Sequence, residues 1–386
     1  MSRPTKVVHV ITTLDDGGAE ASLYRLCLAG GNTQHHVISL MGHGKYGPLL
    51  EAATVSVTCL DMPVGRVTLR GLVRLWRTLR QVGPDVVQTW MYHSDLIGGV
   101  VARLAGVRNV HWGVHNSVLV PGQNARSTIL VARLCARLSH IVPRTIICCA
   151  RKAAEVHAAL GYDTSAMRVV PNGYDLTMFC PDAPQRAAVR AELGVGETVL
   201  MGFVARFDPA KDHSNLLHAL SILNRRGACP RCLLVGSGMD DSNNALVALI
   251  DELQLGGRVS LLGRRGDIPA IMNALDFHIL SSSAEAFPNV IAEAMACGTP
   301  CISTDVGDAG DIVGDSGWIV PARDPKALAH AIEAALEARS APDWQARRAR
   351  ARQWIAASFS LEQMRCGYHE IWHGSRGAPT WTGEKE

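Results

Sequence analysis

The sequence predicts an α/β protein made of two doubly wound domains. Short apolar runs rich in β-branched residues alternate with helix-like segments along the chain, which is typical of parallel βαβ units. The alternation occurs in each half, and 386 residues are enough for two domains. The Pro-containing stretch "NGYDLTMFCPDAP" separates the halves, so we place the boundary near residue 178.

The strand-like runs follow one another at regular intervals. In the first half they read "KVVHVIT", "HHVISL", "SVTCLDM", "DVVQTW", "NVHWGV" and "TIICCA", and "MRVVPNGYD" leads out of it. In the second half they read "TVLMGFVARF", "CLLVGSG", "VSLLGR", "FHILSS" and "PCIST". Helices such as "SNLLHALSILNRRG" and "PKALAHAIEAALEARS" separate the strands, and "SLEQMRCGYHEIW" is the last helix. We therefore expect Rossmann-like domains at 1–178 and 179–356. At 357–386 we expect a C-terminal helix that packs back towards the first domain, followed by a flexible tail.

Composition excludes several classes of protein. With 47% hydrophobic and 19% charged residues, the chain is typical of a soluble globular protein. No apolar stretch approaches the 18 residues of a membrane-spanning helix, and the N-terminal apolar run is too short for a signal peptide. Eleven scattered cysteines, an odd number, indicate reduced thiols. The expected location is the cytoplasm, including the inner face of the cell membrane.

The net charge of +3 is unevenly distributed. Residues 1–180 carry 18 Lys and Arg against 10 Asp and Glu, whereas the remainder is net acidic. The segment "TLRGLVRLWRTLRQVG" places Arg70, Arg74 and Arg77 on one face of a predicted helix. This helix is either an ordinary amphipathic surface helix or a site that attracts anionic lipid headgroups or an acidic substrate.

Two pairs of residues have metal-ligand spacing. Cys229 and Cys232 form a C-x-x-C pair, and His111 and His115 are four residues apart. Neither pair has the further ligands that complete a site, and the histidines lie in a strand-like run rather than on a helix. We therefore expect no metal at either place.

The stretch "AEAFPNVIAEAMACGTP" contains the acids Glu285 and Glu293. A buried strand precedes it, Pro288 suits the first turn of a helix, and Gly298 suits the C-terminal cap. The loop before that helix lies at the carboxyl ends of parallel strands, where ligands bind. The free backbone N–H groups within residues 287–290, of which Pro288 has none, would face an anion there. The two acids either flank one small molecule or are solvated charges beside a helix.

Two further motifs suit a phosphate. In "GFVARFDPAKDHSNLL", Arg206 ends a strand and Lys211 lies before a helix, so both cations could neutralise a diphosphate leaving group. In "TTLDDGGAE", Gly17 and Gly18 follow the first strand and allow close backbone approach to a phosphate. This second motif lacks the third glycine of the dinucleotide fingerprint.

In combination these motifs resemble glycosyltransferase family 4, the retaining nucleotide-sugar transferases of GT-B fold. In that fold two Rossmann-like domains face each other across a cleft, so the resemblance implies an acceptor-binding first domain and a nucleotide-sugar-binding second domain. It covers about residues 6–373. The matching stretches are "GGAE", "PNGYD", "ARFDPAKDH", "LLVGSG", "LLGRRGDIP" and "EAFPNVIAEAMACGTP".

The resemblance implies a role for each motif residue. Glu285 would accept hydrogen bonds from the donor sugar, and Glu293 would hold the ribose. Arg206 and Lys211 would clasp the diphosphate, while Gly17 and Gly18 would close over it from the other domain. His115 in "GVHNS" matches the cleft histidine near the sugar carbon under attack; otherwise it is an ordinary strand histidine. The loop residues that would contact sugar and phosphate are Phe287, Pro288, Asn289 and Val290.

The implied activity is retaining transfer of a hexose or N-acetylhexosamine, with UDP-sugars as the expected donors and GDP-mannose an open alternative. The acceptor would be a glycan or polyprenyl-linked glycan in cell-surface polysaccharide synthesis, with peripheral association to an anionic membrane and no nucleic-acid partner. No Asp-x-Asp triplet occurs in the sequence, so we expect no metal or other cofactor. Tyr174 departs from the family, which usually has an aliphatic residue there.

Three competing interpretations remain. A nucleotide-sugar epimerase shares the two-domain fold and is distinguished by its product. A nicotinamide oxidoreductase would need a clear GxGxxG motif after the first strand, which the sequence lacks. A non-catalytic scaffold subunit is disfavoured by the complete set of motif residues, and donor hydrolysis would exclude it.

Overall fold

The computed structural model of the protein describes residues 3–117, 119 and 125–374. The chain divides into two compact units. The first unit runs to Gly173 and resumes at Leu361, and the second is Tyr174–Ser360. Each contains one parallel sheet with helices between its strands, so the α/β fold class of two doubly wound domains is confirmed.

The first unit has seven strands paired in the order β3-β2-β1-β4-β5-β6-β7, all parallel. The strands are β1 Thr5–Ile11, β2 Thr33–Ser39, β3 Ser56–Cys59, β4 Val86–Trp90, β5 Val110–Val114, β6 Thr145–Cys148 and β7 Met167–Val169. The helices are α1 Gly18–Leu28, α2 Tyr46–Ala52, α3 Leu69–Val82, α4 Tyr92–Leu104, α5 Arg126–Leu138 and α6 Arg151–Ala159.

The second unit has six parallel strands in the order β10-β9-β8-β11-β12-β13. Its first helix, α7 Ala183–Glu192, precedes the first strand. The strands are β8 Leu200–Val204, β9 Arg231–Val235, β10 Val259–Gly263, β11 Phe277–Leu280, β12 Cys301–Thr304 and β13 Trp318–Val320. The remaining helices are α8 His213–Arg225, α9 Asn244–Glu252, α10 Ile268–Ala274, α11 Asn289–Ala296, α12 Ala309–Val313, α13 Pro325–Arg339 and α14 Trp344–Ser358.

Local sequence explains where the basic amphipathic helix α3 begins and ends. The Thr68 hydroxyl accepts a hydrogen bond of 3.1 Å from the Gly71 N–H at its N-terminus. Gly83 ends it in the left-handed region, with φ of 57°, where glycine carries no steric penalty. Thr68 and Gly83 therefore explain why the predicted helix begins and ends where it does.

The point where the chain enters the second unit differs from the predicted boundary at residue 178. The stretch around residue 178 is ordered by its own side chains. Asp175 accepts hydrogen bonds from the Thr177 and Met178 amides, and Phe179 is buried. The Tyr174 N–H donates to the Phe359 carbonyl at 3.0 Å, so the chain already belongs to the second unit there.

The last helix, α15 Leu361–His373, belongs to the first unit. The predicted division at residue 357 falls instead inside α14, which continues to Ser358. Met364, Tyr368 and Trp372 of α15 lie in the same buried cluster as residues of β1 and β4. The predicted flexible tail lies beyond residue 374, outside the described residues.

Both sheets reverse their strand order at an internal strand. In the first, β1 lies between β2 and β4; in the second, β8 lies between β9 and β11. Ligands of open α/β sheets bind at such switch points, beyond the carboxyl ends of the strands. We therefore expect the functional residues of each unit on the loops that follow these strands. No helix in the described part of the chain is long and apolar enough to cross a membrane.

Candidate active site

An ion pair joins the loops after β8 and β11 at the switch point of the second sheet. Lys211 ends a 3-10 turn in the first loop, and its Nζ contacts Oε1 of Glu285 in the second. The side chains are only 20% and 13% exposed, so solvent screens the pair less than a surface pair. The Ser282 hydroxyl donates to the same Glu285 oxygen at 2.7 Å. The structure therefore brings together two of the predicted site residues.

Serines that follow β11 tie these two loops together. The Ser281 hydroxyl donates to the carbonyl of Lys211 at 3.1 Å and to that of Asp212 at 3.0 Å. The Ser283 N–H donates to the Ala210 carbonyl at 2.8 Å. These bonds hold the backbone below the ion pair, so its geometry does not depend on side-chain attraction alone.

Arg206, the second predicted cation, is placed differently. Its side chain is 64% exposed, and its Nε donates to Asp208 at 3.2 Å. Asp208 in turn accepts a hydrogen bond from the Ala210 N–H, which caps the turn that carries Lys211. Arg206 thus lies on the same loop as Lys211, but its observed ion-pair partner is Asp208.

A glycine outside the predicted site allows another loop to approach Glu285. Gly307 has φ of +57°, and a Cβ atom there would lie 2.3 Å from the carbonyl oxygen of Ala286. The neighbouring Asp308 N–H donates to that same carbonyl at 3.1 Å. A side chain at Gly307 would therefore displace the backbone next to Glu285.

The remaining second-unit residues lie on the loop and helix after β11. Pro288 is the N-cap of α11 rather than part of its first turn, and Asn289 and Val290 begin the helix. Glu293 is half-buried within α11, and Gly298 follows the helix with φ of 73°. The predicted strand, loop, helix and strand are confirmed.

A buried histidine lies two positions after Lys211 in the chain. His213 is the first residue of α8, and its ring contacts Phe203 edge-on at 5.0 Å between centroids. Burial, and then the charge of Lys211, lowers the pKa of His213 to about 4. The imidazole is therefore neutral at physiological pH, and Lys211 is the cationic member of this pair of side chains.

Gly17 and Gly18 lie in the first unit, in the loop and helix after β1. Gly17 is the N-cap of α1, and Gly18 is its first residue. The carboxylate of Glu20 lies over Gly17, where a Cβ atom would be 2.2 Å from Oε2 of Glu20. Burial raises the pKa of Glu20 above its ordinary value. A side chain at Gly17 would therefore have to push the flexible Glu20 carboxyl group aside.

His115 follows β5 in the first unit and stacks on Trp90, with 4.9 Å between ring centroids. Both ring nitrogens are buried, and neither has a hydrogen-bond partner among the described residues. Burial, with a smaller effect of the charge on Arg25, lowers the pKa of His115 to about 3. Unpartnered buried nitrogens are costly. A neutral imidazole held in this way is suited to a ligand contact.

Among residues 3–117, 119 and 125–374, one group of three potential metal ligands lies close together, His9, Cys27 and His35. Its hydrogen bonds do not suit a metal. The Trp90 Nε1–H donates to Nδ1 of His9 at 3.2 Å, so His9 carries its proton on Nε2, which faces Nδ1 of His35 at 2.9 Å. Coordination through Nε2 would leave His9 without a proton on either nitrogen, whereas metal-bound histidines donate their other N–H.

Comparisons with known proteins agree with this architecture. A family profile described as "Glycosyltransferase Family 4" matches residues 16–178, and one described as "Glycosyl transferases group 1" matches residues 198–338. D-inositol 3-phosphate glycosyltransferase of Mycobacterium sp. (strain KMS) is 35% identical over 347 residues, which cover 80% of this chain and 78% of that protein. UDP-Gal:alpha-D-GlcNAc-diphosphoundecaprenol alpha-1,3-galactosyltransferase of Escherichia coli is 26% identical, covering 74% of this chain and 76% of that protein.

Solved structures share the fold. HepE of Anabaena, crystallised in complex with UDP, superposes with a TM-score of 0.84 at 22% identity, covering 96% of this chain and all of that chain. A glycosyltransferase from Rickettsia africae superposes with a TM-score of 0.82 at 17% identity, covering 97% and 99% of the two chains. The class defined by fold and site is that of the GT-B glycosyltransferases. Within that class the chain belongs to glycosyltransferase family 4, which confirms the resemblance found in the motifs.

Sequence reasoning missed Ser282, Asp208 and Gly307. Ser282 donates a hydrogen bond to Glu285, and Asp208 accepts one from Arg206. Gly307 leaves room for the carbonyl of Ala286, which is next to Glu285. The serine run after "FHIL" was a signal for the first of them, because hydroxyls at a strand end can bond to neighbouring loops. Gly307 had no local signal, since its close contact is with a loop more than 20 positions earlier in the chain.

Proposed function

We propose that the protein is a retaining glycosyltransferase that moves a hexose or N-acetylhexosamine from a UDP-sugar to a glycan or polyprenyl-linked glycan in cell-surface polysaccharide synthesis. The names of its relatives support both substrate classes. The Escherichia coli relative is named for UDP-Gal and a GlcNAc-diphosphoundecaprenol acceptor, and HepE was crystallised with UDP. The family of the chain supports transfer rather than epimerisation.

The observation that carries the proposal is the ion pair between Lys211 and Glu285 at the switch point. A nucleotide sugar combines an anionic diphosphate with a sugar that gains positive charge as its bond to phosphate breaks. A cation and a carboxylate fixed side by side, and mostly withheld from solvent, complement these two charges. Arg206, on the same loop as Lys211, supplies a second cation for the diphosphate.

The proposed reaction breaks the bond between the anomeric carbon and the diphosphate oxygen. The electron pair leaves with the diphosphate, where Lys211 and Arg206 stabilise it. An acceptor hydroxyl bonds to the anomeric carbon on the same face, so the configuration is retained, and its proton passes to a leaving-group oxygen. Glu285 stabilises positive charge on the sugar, Glu293 holds the ribose, and the neutral imidazole of His115 accepts or donates a hydrogen bond near the sugar. The cations on these loops would replace the metal that other nucleotide-sugar enzymes use.

A screen of nucleotide sugars against the purified protein tests the proposal. Thermal unfolding should be shifted upwards by UDP and by one or more UDP-sugars, because a ligand that binds only the folded state stabilises it. Transfer with the sugar that binds should survive EDTA and should keep the donor's anomeric configuration. Activity that EDTA abolishes and Mg²⁺ or Mn²⁺ restores would contradict the metal-independent mechanism. An epimerised donor without transfer would favour the epimerase instead.

We also propose that the first unit binds an anionic membrane through α3 and the segment before it. Val64, Leu69, Val73 and Trp76 are 83%, 78%, 40% and 42% exposed, and a group of exposed large apolar side chains in one short segment is typical of an interaction surface. Arg70, Arg74 and Arg77 line a shallow groove together with Leu69 and Val73. Apolar side chains that insert into lipid, flanked by arginines that meet acidic headgroups, fit such a surface.

A neighbouring helix supports this assignment. α3 packs on α4, and α4 packs on α5, which also exposes apolar residues, Leu130 and Leu134. Arg133 and Arg137 are exposed on the same helix. A polyprenyl-linked acceptor is held in a membrane, so a lipid-binding first unit would bring the enzyme to it at the cytoplasmic face.

A further inference from the structure

Tyr174 departs from the family motif, and the structure gives it a defined place. It is the first residue of the second unit, and its side chain is fully buried. Its N–H donates to the Phe359 carbonyl at 3.0 Å, and it pairs with Ser360 as an isolated parallel bridge. The backbone of Tyr174 is therefore fixed to the end of the second unit, independently of its ring.

The ring of Tyr174 contacts the loop after β11 at two points. It stacks on Phe287, with 6.4 Å between centroids and 17° between the planes. Phe287 packs edge-on against Phe359 at 5.7 Å, so the loop is held between aromatic rings. The hydroxyl of Tyr174 donates to Oδ1 of Asn289, the first residue of α11. An aliphatic side chain could replace some of the packing but not this hydrogen bond.

The loop is thus held from two sides. On one side, Lys211 and Ser282 fix the carboxylate of Glu285. On the other side, Tyr174 fixes Phe287 through its ring and Asn289 through its hydroxyl. The residues held in this way are those proposed to contact sugar and phosphate, and helix N-terminal amides must point at the anion to bind it.

We propose that Tyr174 is a positioning residue for donor binding, which sets the direction of the α11 N-terminus by holding Asn289. This inference rests on the proposed nucleotide-sugar site. Tyr174 does not itself touch the donor in this proposal. Because the hydroxyl acts on a ground-state binding contact, its loss should weaken binding of the free nucleotide and of the intact donor alike. Binding of the acceptor should not change.

The test compares Tyr174→Phe with the wild type by calorimetric titration with UDP, with GDP as the second probe, and by steady-state kinetics. The substitution keeps the ring stack and removes only the hydroxyl. We expect UDP affinity and the donor KM to worsen by about 3- to 30-fold, the size of a lost buried hydrogen bond. The acceptor KM should not change. The matched control is Tyr162→Phe, which removes a hydroxyl from a buried tyrosine of the first unit. It should change neither the UDP affinity nor the donor KM.

A double-mutant cycle separates positioning from a general loss of stability. If the hydroxyl acts through Asn289, adding Tyr174→Phe to Asn289→Ala should cause no further loss of UDP affinity. Additive losses, equal UDP binding by Tyr174→Phe and wild type, or parallel losses for donor and acceptor would each overturn the proposal. A wild-type protein that binds neither UDP nor GDP would instead show that the proposed donor site is wrong, and the positioning role would fall with it.

Discussion

The ammonium group of Lys211 and the carboxylate of Glu285 form an ion pair across the ends of two adjacent strands, β8 and β11. The resemblance assigned them different partners, the diphosphate to one and the sugar to the other. Their contact means that each residue also holds the other in place. Removal of either partner leaves a charge in a site that is mostly withheld from solvent, which is costly.

Lys211→Met should lower the catalytic efficiency of transfer by about 10- to 100-fold or more, because a charged hydrogen bond to the diphosphate is lost. The measurement is kcat/KM for the donor. Lys152→Met is the matched control, because it breaks a Lys–Glu pair on the exposed surface of α6 and should leave transfer unchanged. Normal transfer by Lys211→Met would mean that the assignment is wrong.

Replacing the two acids of the β11–α11 segment should affect donor binding and turnover differently. Glu285→Gln keeps the shape and loses the charge, so it should bind UDP almost normally while turnover falls by about 100-fold or more. Glu293→Ala should mainly weaken binding of UDP and of the donor alike, because its ribose contact changes little during the reaction. Titration with UDP and single-turnover kinetics distinguish the two. The opposite pattern would reverse the assignment, and two nearly normal variants would leave both acids as surface charges.

Charge reversal on α3 should release the protein from acidic vesicles. Arginines near an anionic bilayer contribute about 1 kcal/mol each, so replacing Arg70, Arg74 and Arg77 by glutamate should weaken partitioning by about 100-fold or more. Sedimentation with phosphatidylglycerol-containing vesicles measures it, and binding should fall as salt rises.

The control for this experiment reverses three arginines of the second unit, at Arg225, Arg258 and Arg350. The net charge change is the same, so a loss confined to the α3 variant identifies the surface. Equal binding of the wild type to neutral phosphatidylcholine vesicles, or binding to neither kind, would exclude an anionic membrane as the partner.

Acid should destabilise the second unit through His278, which is fully buried in the central strand β11. Burial lowers its pKa to about 3, whereas an unfolded histidine titrates near 6.5. The unfolded chain therefore binds an additional proton as the pH falls below about 6.5. This histidine alone should lower the free energy of unfolding by about 1.4 kcal/mol per pH unit down to about pH 3.

His278→Leu, a buried apolar replacement, should remove that part of the acid sensitivity. Urea denaturation at several pH values between about 4 and 7, which cover most of this titration range, measures how the free energy of unfolding changes with pH. His218→Leu replaces an exposed histidine on α8 and should leave the slope as it is in the wild type. An unchanged slope in His278→Leu would place the acid sensitivity elsewhere.

Most of the fold could be predicted because its signals are local. Buried strands such as β4 and β5 are short runs of mostly apolar or β-branched residues, and α3 is marked by Thr68 and Gly83 at its ends. The strands β7 and β13 were not predicted. Each has only three residues, and β13 has a half-buried and an exposed side chain, so neither gives a strong pattern.

The candidate site was predictable in its residues but not in its contacts. The motifs identify Lys211 and Glu285 separately, whereas their pairing depends on β8 and β11 being neighbours, which is set by the order of strands in the sheet. Tyr174 illustrates the same limit. The motif shows only an unusual aromatic residue, and its partner Asn289 is 115 positions away.

Because α15 is the last helix in the chain but belongs to the first unit, the order of synthesis decides which unit can complete its fold first. The second unit is continuous in sequence, so every residue it needs is available once Ser360 has been made. The first unit lacks Tyr368, which stacks on Trp90, and Trp372, which packs edge-on against His9, until almost the whole chain exists. A chain that ends at Ser360 should therefore keep a protease-resistant second unit while β1 to β7 become cleavable, as limited proteolysis would show. Equal resistance of both units would mean that the first can complete its core without its last helix. The first part of this protein to be translated is thus the last that can finish folding.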